Sequence, residues 1–496
     1  MSKKPCILGL DISTTASKAV CLDSTGQILG QTATEHKISH PNPLWSEQNP
    51  TDWWTAMRQS IQTLIELSSV DPKQIQAIGL TGQMHGLVLM DSDNRVLRPA
   101  ILWNDGRSNA QCEMIRERIG RESLIAITGN DAFTGFTAPK LLWVRDHEPN
   151  CYAQIAKVLL PKDYIRWHLS SEYATDLAGA GGTLLLDLSK RTWSTDLLKE
   201  LQIPETWLPP TYEGIQCTGT VSRTCALETG LLEGTQIFAG GGDQSTQAIG
   251  VGAVDPNTWA VTLGTSGVVF APSVDPIIEP MGRVHAFPHA MPQTWHLMGV
   301  MLSAAGSLQW YRDTLAPQID FEPLLIEATD IDFGSNGLYF LPYLTGERTP
   351  HADPLLRGSF IGLTSRHTRG HMTRAVLEGV SYGLKDNLNL LQQMGLPSPK
   401  RIRISGGGAQ SHVWCQILAD ILGNPLEVVK SSEGAAVGAA LLAGVGQGIW
   451  SSIHQACDTA ITIQSKIYPE ESANEYEDRH RNFNDLNTRL KGFYIT

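Results

Sequence analysis

The chain is poor in the features that tie a protein to nucleic acid, membranes or an oxidising compartment. Its 38 Lys and Arg residues are outnumbered by 50 Asp and Glu, a formal charge of −12 at pH 7. A surface of that sign lacks the basic footprint that reads a phosphate backbone, and anionic bilayers repel it. Nucleic acid and membrane are therefore not expected partners. Eight cysteines are scattered at positions 6, 21, 112, 151, 217, 225, 415 and 457. None forms a CxxC pair or sits at zinc-ligand spacing, so reduced thiols of a cytoplasmic protein are expected. Long hydrophobic runs are also missing. The longest charge-free apolar stretch, Gly434 to Trp450, is rich in Gly and Ala. It is shorter than the ~20 residues a membrane span needs and predicts a tightly packed buried helix. The basic start, Met1-Ser2-Lys3-Lys4-Pro5, precedes an apolar run that Asp11 interrupts. That run is too short for a secretory leader.

Three nucleotide-binding signatures are absent as well. There is no GxxxxGK[ST] loop, which excludes a P-loop enzyme. Neither Gly240-Gly241-Gly242 nor Gly250-Val251-Gly252 has the glycine offsets of a dinucleotide fold. The signature set of protein kinases does not occur.

What is present reads as a soluble α/β protein. With 496 residues, 42% hydrophobic and 18% charged, the chain is ordinary in composition but too long for one core. Two domains are expected, 1–254 and 255–496, divided near the turn-type cluster Val254-Asp255-Pro256-Asn257. Cys6 to Leu10 is a continuous apolar run that predicts a buried strand, followed by the polar turn Asp11-Ile12-Ser13-Thr14-Thr15 and a return strand from Ser17 to Asp23. Trp54, Met57, Ile61, Leu64 and Ile65 keep helical spacing after Pro50-Thr51-Asp52. Ile75 to Leu80 predicts a strand leading into the loop Thr81–Gly86. The second half repeats the opening theme: strand Thr258–Leu263, turn Gly264-Thr265-Ser266-Gly267, return strand Val268–Phe270. This hints at an internal duplication. Arg401 to Ile404 predicts a further strand entering Ser405-Gly406-Gly407-Gly408-Ala409, and the helix after it carries Trp414, Ile417, Leu418, Ile421 and Leu422.

The three glycine or hydroxyl turns, Asp11–Thr15, Gly264–Gly267 and Gly406–Gly408, suit an anion. Glycine lets backbone N–H groups approach it, and Ser and Thr hydroxyls add donors. Asp243 follows Ala239-Gly240-Gly241-Gly242, a run poor in helix or strand interiors, which predicts a strand end that must clear a bound molecule. A carboxylate there can take the proton of an attacking hydroxyl. It can equally cap the next helix, with Gln244 and Gln247 on its first turn. Asp11 offers a hard oxygen to Mg²⁺, or simply forms its turn. Met84-His85-Gly86 and Trp103-Asn104-Asp105-Gly106-Arg107 combine apolar faces with polar groups, a pairing that fits a polyhydroxyl ligand. A structural His and a paired Asp and Arg are the alternatives. Lys18 lies inside a strand pattern and is left out of the site.

Together these motifs resemble the FGGY family of carbohydrate kinases, within the actin, hexokinase and sugar-kinase superfamily. The likeness runs from about Ile7 to near Leu442. It is strongest in Phe136-Thr137-Ala138-Pro139-Lys140-Leu141-Leu142-Trp143 and in Gly358–Leu363 with His371 and Ala375-Val376-Leu377-Glu378. The resemblance implies two actin-like (ribonuclease H-like) α/β domains around a central cleft, sugar mainly on the first and adenosine on the second. Pro43–Gln48, Gly82–Gly86, Leu102–Arg107 and Leu341–Pro350 are similar to the xylulokinase branch. That branch implies transfer of the ATP γ-phosphate to the 5-hydroxyl of D-xylulose in the cytoplasm, with Mg²⁺; a homodimer is the expected assembly. The implied roles put Asp243 as proton acceptor and Asp11 as a catalytic residue and metal ligand. Met84, His85, Trp103, Asp105 and Gln244 would face sugar. Ser13, Thr14, Thr15, Gly264, Thr265, Gly407, Gly408 and Gln410 would hold ATP. A kinase of ribulose, fuculose, gluconate or glycerol, or a non-enzymatic nucleotide-dependent binding protein, remains the alternative.

Overall fold

Strand β1 (Cys6–Ile12) is buried at every position, as its unbroken apolar run requires. It forms a hairpin with β2 (Ala16–Asp23), and β3 (Ile28–Glu35) extends the antiparallel ladder. These assignments come from a computed structural model, which describes residues 4–68, 70–430, 433–470 and 473–493. The first three residues of the basic N-terminal run lie outside the described residues. Helix α1 (Pro50–Leu67) starts where the sequence places it: the Asn49 side chain accepts from the Thr51 N–H, and Pro50 occupies the first turn. The first half continues through β4 (Ile75–Gly82), α2 (Thr137–His147), α3 (Pro161–Ser170), β5 (Cys217–Thr220), β6 (Gln236–Gly242) and α4 (Asp243–Gly250). Its sheet has the order β5-β6-β4-β1-β2-β3, with β4 parallel to β1 and β6 parallel to β4.

The second half builds the same pattern. Strands β7 (Thr258–Leu263) and β8 (Gly267–Ser273) form the hairpin, and β9 (His285–Pro288) and β10 (Trp295–Met301) extend it antiparallel. Helices α5 (Ala305–Leu315) and α6 (Arg369–Gln393) follow, then β11 (Arg401–Ser405), α7 (His412–Leu422), β12 (Leu426–Val429), α8 (Gly434–Gly446) and β13 (Ile463–Ile467). The order is β9-β10-β8-β7-β11-β12-β13, with β11 parallel to β7 and β12 parallel to β11. Each sheet is thus an antiparallel hairpin set joined to two parallel strands and an antiparallel edge. The two hairpin turns hold equivalent places, which gives the duplication hinted by the sequence a topological basis.

Each sheet is drawn from one half of the chain, and α8 crosses between them. It is buried as its composition predicts and lies on the backbone of β1 and β4. A Cβ at Gly9 would stand 2.0 Å from the Ala436 carbonyl oxygen, and one at Gly79 would stand 1.9 Å from that of Ala439. Glycine is required for this approach. All eight cysteines are free thiols, and among the described residues no helix is long and apolar enough to cross a membrane.

Candidate active site

Asp11 and Gly241 flank Thr81 in register, one on each neighbouring strand, and Ile12 and Gly242 flank Gly82 in the same way. The C-terminal ends of β1, β4 and β6 therefore meet at one edge, where open α/β sheets bind their ligands. Asp11 is the penultimate residue of β1, and Asp243 is the first residue of α4 directly after β6. Burial pushes the Asp11 carboxyl up to about 6, helped by the charge of Glu433 and opposed by Lys18. Burial pushes Asp243 up to about 7, and the negative charge of Asp11 adds to it. The Gln244 N–H donates to Asp243 Oδ1 at 2.8 Å. Asp243 does not cap α4 in the usual sense: the cap position is Gly242, and no side chain caps it.

The glycine run before Asp243 has a different cause from the expected ligand clearance. Gly240 has φ +67°, and its Cβ would lie 1.7 Å from the Leu80 carbonyl oxygen; a Cβ at Gly242 would meet Met84 Cγ at 2.7 Å. The run lets β6 pass β4 and seats Met84. Buried Arg166 fixes the strand from behind, donating to the carbonyls of Phe238 at 3.2 Å and Ala239 at 2.6 Å.

Met84 and His85 form the loop after β4. Met84 is buried against Gly242, and both side chains press on Gly182. His85 Nδ1 lies 2.6 Å from the Gly182 carbonyl oxygen, so the hydrogen-bond network assigns the proton to Nδ1 and leaves Nε2 as an acceptor. Burial holds the ring well below the usual imidazole range, at about 3, with Lys140 and Arg348 acting the same way and the Gly182 bond opposing. The neutral ring stands edge-on to Phe136 at 4.9 Å. Trp103 is 43% exposed, and its indole N–H donates to Thr14 Oγ1 at 3.0 Å, joining its loop to the first hydroxyl turn. Gln244 sits beside Asp243, half-buried.

Asp105 takes a role different from the expected sugar contact. It is 1% exposed, and both oxygens are engaged: Oδ2 accepts from the Ser46 N–H and Arg107 Nη2 at 2.7 Å each, and Oδ1 accepts from Arg107 N and Nε at 2.9 Å. A saturated buried carboxylate is a strut for the Trp103 loop.

A cavity of about 860 Å³ opens between the second sheet and α4. Gly407, Gln410, Ser405 and Lys430 line it, together with Gln247, one helical turn along α4 from Asp243. Gly408 does not line it. Its position is packed on Leu263, where a Cβ would come within 2.6 Å of the side chain. In the turn after β7, Thr265 and Ser266 are exposed, while the Gly264 and Thr265 carbonyls accept from Ala305 and Ala304 at the start of α5. In the first turn, Ser13 Oγ donates to the Ala16 carbonyl at 2.8 Å, Thr14 is half-buried and Thr15 is exposed. Lys18 lies opposite Asp11 and pairs with Glu433 at 2.8 Å. Gln247, Lys430, Thr137 and Lys140 were not among the expected site residues. Gln247 was legible as the i+4 neighbour of Asp243; Lys430 carries no local signal.

Asp11 fits a Mg²⁺ site by its chemistry: its Oδ1 is buried with no hydrogen-bond partner among the described residues. Among those residues no group of three or more His, Cys, Asp or Glu side chains converges. Mg²⁺ needs no such cage when phosphate and water complete its shell.

Two family models match this chain: the N-terminal domain of the FGGY family of carbohydrate kinases over residues 6–250, and its C-terminal domain over 259–446. The xylulose kinase of Escherichia coli K12 is 40% identical over 484 residues, 97% of this chain and 99% of that protein. The crystal structure of xylulose kinase from Rhodospirillum rubrum superposes with a TM-score of 0.93 at 29% identity, covering 99% of each chain. That of gluconate kinase from Lactobacillus acidophilus superposes with a TM-score of 0.94 at 27% identity, again over 99% of each. Matches of this extent over both halves leave one conclusion: the chain belongs to the FGGY family of carbohydrate kinases.

Proposed function

We propose that this kinase transfers the γ-phosphoryl group of ATP to O5 of D-xylulose, giving D-xylulose 5-phosphate and ADP. One observation carries the reading. Asp243, a carboxyl poised to titrate near 7, starts the helix that stands between the Met84-His85 loop and the cavity lined by Gly407 and Gln247. The choice of D-xylulose rests on the 40% identity to a xylulose kinase; the gluconate kinase likeness shows that this fold alone does not select the sugar.

Asp243 accepts the proton of the 5-hydroxyl as that oxygen attacks phosphorus, and the bond to the β-phosphate oxygen breaks. His85 Nε2 accepts from a sugar hydroxyl, and the exposed face of Trp103 covers the C–H edge. The hydroxyls of Thr14, Thr15 and Thr265 hold the phosphate chain from two equivalent turns, while Gly407 and Gln410 face the nucleoside. Asp11 would hold Mg²⁺ through its unpartnered buried oxygen, and the ion would supply charge neutralisation at the phosphate. Gln244 stays beside the base and meets the sugar. The free thiols fit a reducing, cytoplasmic setting.

The test is a sugar panel of D-xylulose, ribulose, fuculose, gluconate and glycerol with ADP release and product identification. D-Xylulose is expected to give the highest kcat/KM and a 5-phosphate product. A higher kcat/KM for another member overturns the substrate, and ADP release without any phosphosugar overturns the kinase reading.

A further inference from the structure

His85 is strained. Its φ of +69° lies in the left-handed region, which a non-glycine residue occupies only when its surroundings over-determine it. Two side chains of α2 supply that constraint from below. Thr137 Oγ1 donates to the His85 carbonyl at 2.9 Å, and Lys140 Nζ donates to the same oxygen at 2.8 Å. Both side chains are fully buried.

The ammonium reaches further. Lys140 Nζ also donates to the Leu102 carbonyl at 2.9 Å and lies 3.4 Å from that of Ile101. Leu102 leads directly into Trp103, whose indole bonds Thr14 in the first hydroxyl turn. One buried amine, whose pKa burial lowers to about 7, therefore fixes the backbone of the two loops. Its contacts are main-chain carbonyls, so its charge is spent on backbone placement. An ammonium has three donors and no acceptor, which suits three converging carbonyls.

We propose that Lys140 and Thr137 are positioning residues that hold the Met84-His85 and Trp103 loops in sugar-binding geometry without touching the sugar. This rests on reading those loops as the sugar site. Losing either side chain leaves the His85 carbonyl short of a donor, relaxes the left-handed turn and misplaces the imidazole. The nucleotide cavity is built from other elements and is unaffected.

The experiment compares Lys140→Met, Thr137→Val and Thr137→Ser with the wild type, using whichever panel sugar the wild type phosphorylates fastest. Loss of placement on the scale of 1 Å predicts a sugar KM raised roughly 10- to 100-fold in Lys140→Met and roughly 3- to 10-fold in Thr137→Val. The ATP KM stays within about twofold, and Thr137→Ser, which keeps the hydroxyl, restores the sugar KM. If Lys140→Met does not fold, the near-isosteric Thr137→Val decides alone. An unchanged sugar KM in Thr137→Val, or equal rises in both KM values, overturns the inference. A wild type that phosphorylates no sugar overturns the functional reading instead.

Discussion

Replacing Asp243 by Asn should abolish turnover and stabilise the free protein, by an amount that grows with pH. The carboxyl is raised from 3.8 to about 7, first by burial and then by the charge of Asp11. The folded state therefore binds a proton more tightly than the unfolded chain. Between those two values unfolding releases that proton, so the contribution of this group to stability falls as pH rises. At 1.36 kcal/mol per pH unit the cost of holding the ionised form reaches about 4 kcal/mol at pH 8, about 2 kcal/mol at pH 5.5 and nearly nothing at pH 3. The amide mimics the protonated acid and still accepts from the Gln244 N–H, so Asp243→Asn removes this cost. It also removes the negative charge facing Asp11. Thermal denaturation in metal-free buffer is the assay. At roughly 2–4 °C per kcal/mol for a domain of this size, the midpoint should rise on the order of 10 °C at pH 8, with a smaller gain at pH 5.5. A midpoint at pH 8 equal to or below the wild type, or a gain independent of pH, would falsify the claim that the cleft holds this carboxyl under strain.

The same carboxyl sets the pH profile. The base must be ionised, so kcat/KM for the sugar should fall as pH drops through about 7, and a profile flat down to pH 5 would remove Asp243 as the base. His85→Ala should raise the sugar KM roughly 10-fold, the loss of one hydrogen bond, and leave the ATP KM nearly unchanged; equal effects would make His85 purely structural. Gln247→Ala should do the reverse, raising the ATP KM by roughly 3- to 10-fold, since Gln247 lines the cavity proposed for the nucleotide. Gly79→Ala places a Cβ 1.9 Å from the Ala439 carbonyl oxygen and should destabilise the fold by about 3 kcal/mol, measured by chemical denaturation; an unchanged midpoint would contradict the close seating of α8.

How much of this was legible depended on whether the cause was local. The strands around Asp11 and Thr258, the start of α1 at Pro50 and the burial of Ala436–Gly444 follow from apolar runs, a cap and small residues, and each signal lies within a few residues. Asp243 stood out because three glycines precede it, yet their reason is the Leu80 carbonyl and Met84, about 160 residues away in the chain. Asp105 misled for the same cause. An acid in an aromatic, amide-rich loop looks like a sugar ligand until Ser46 and Arg107 are seen to occupy both oxygens. Gly408 belongs to a glycine turn, but only Gly407 faces open space; Gly408 is needed by Leu263. Lys140 sat inside a motif whose likeness was plain, and its task became readable only when three carbonyls from two loops met at its ammonium.

Helix α4 explains how two lobes can act as one site. Asp243 and Gln247 are four residues apart and share a face of α4, with Gln247 at the cavity wall. Thr246 and Gly250 share the neighbouring face, which packs on α8 so closely that a Cβ at Gly438 would lie 1.9 Å from the Thr246 carbonyl oxygen and one at Gly250 1.8 Å from that of Gly434. Helix α8 comes from the second half of the chain but rests on β1 and β4, beside Asp11. Helix α4 thus sets Gln247, at the cavity wall, one helical turn from Asp243, roughly 6 Å between side-chain origins. A variant that disturbs the α4–α8 contact should therefore lower kcat, whereas one that disturbs the turn at Thr265 should act on KM, each read from steady-state kinetics.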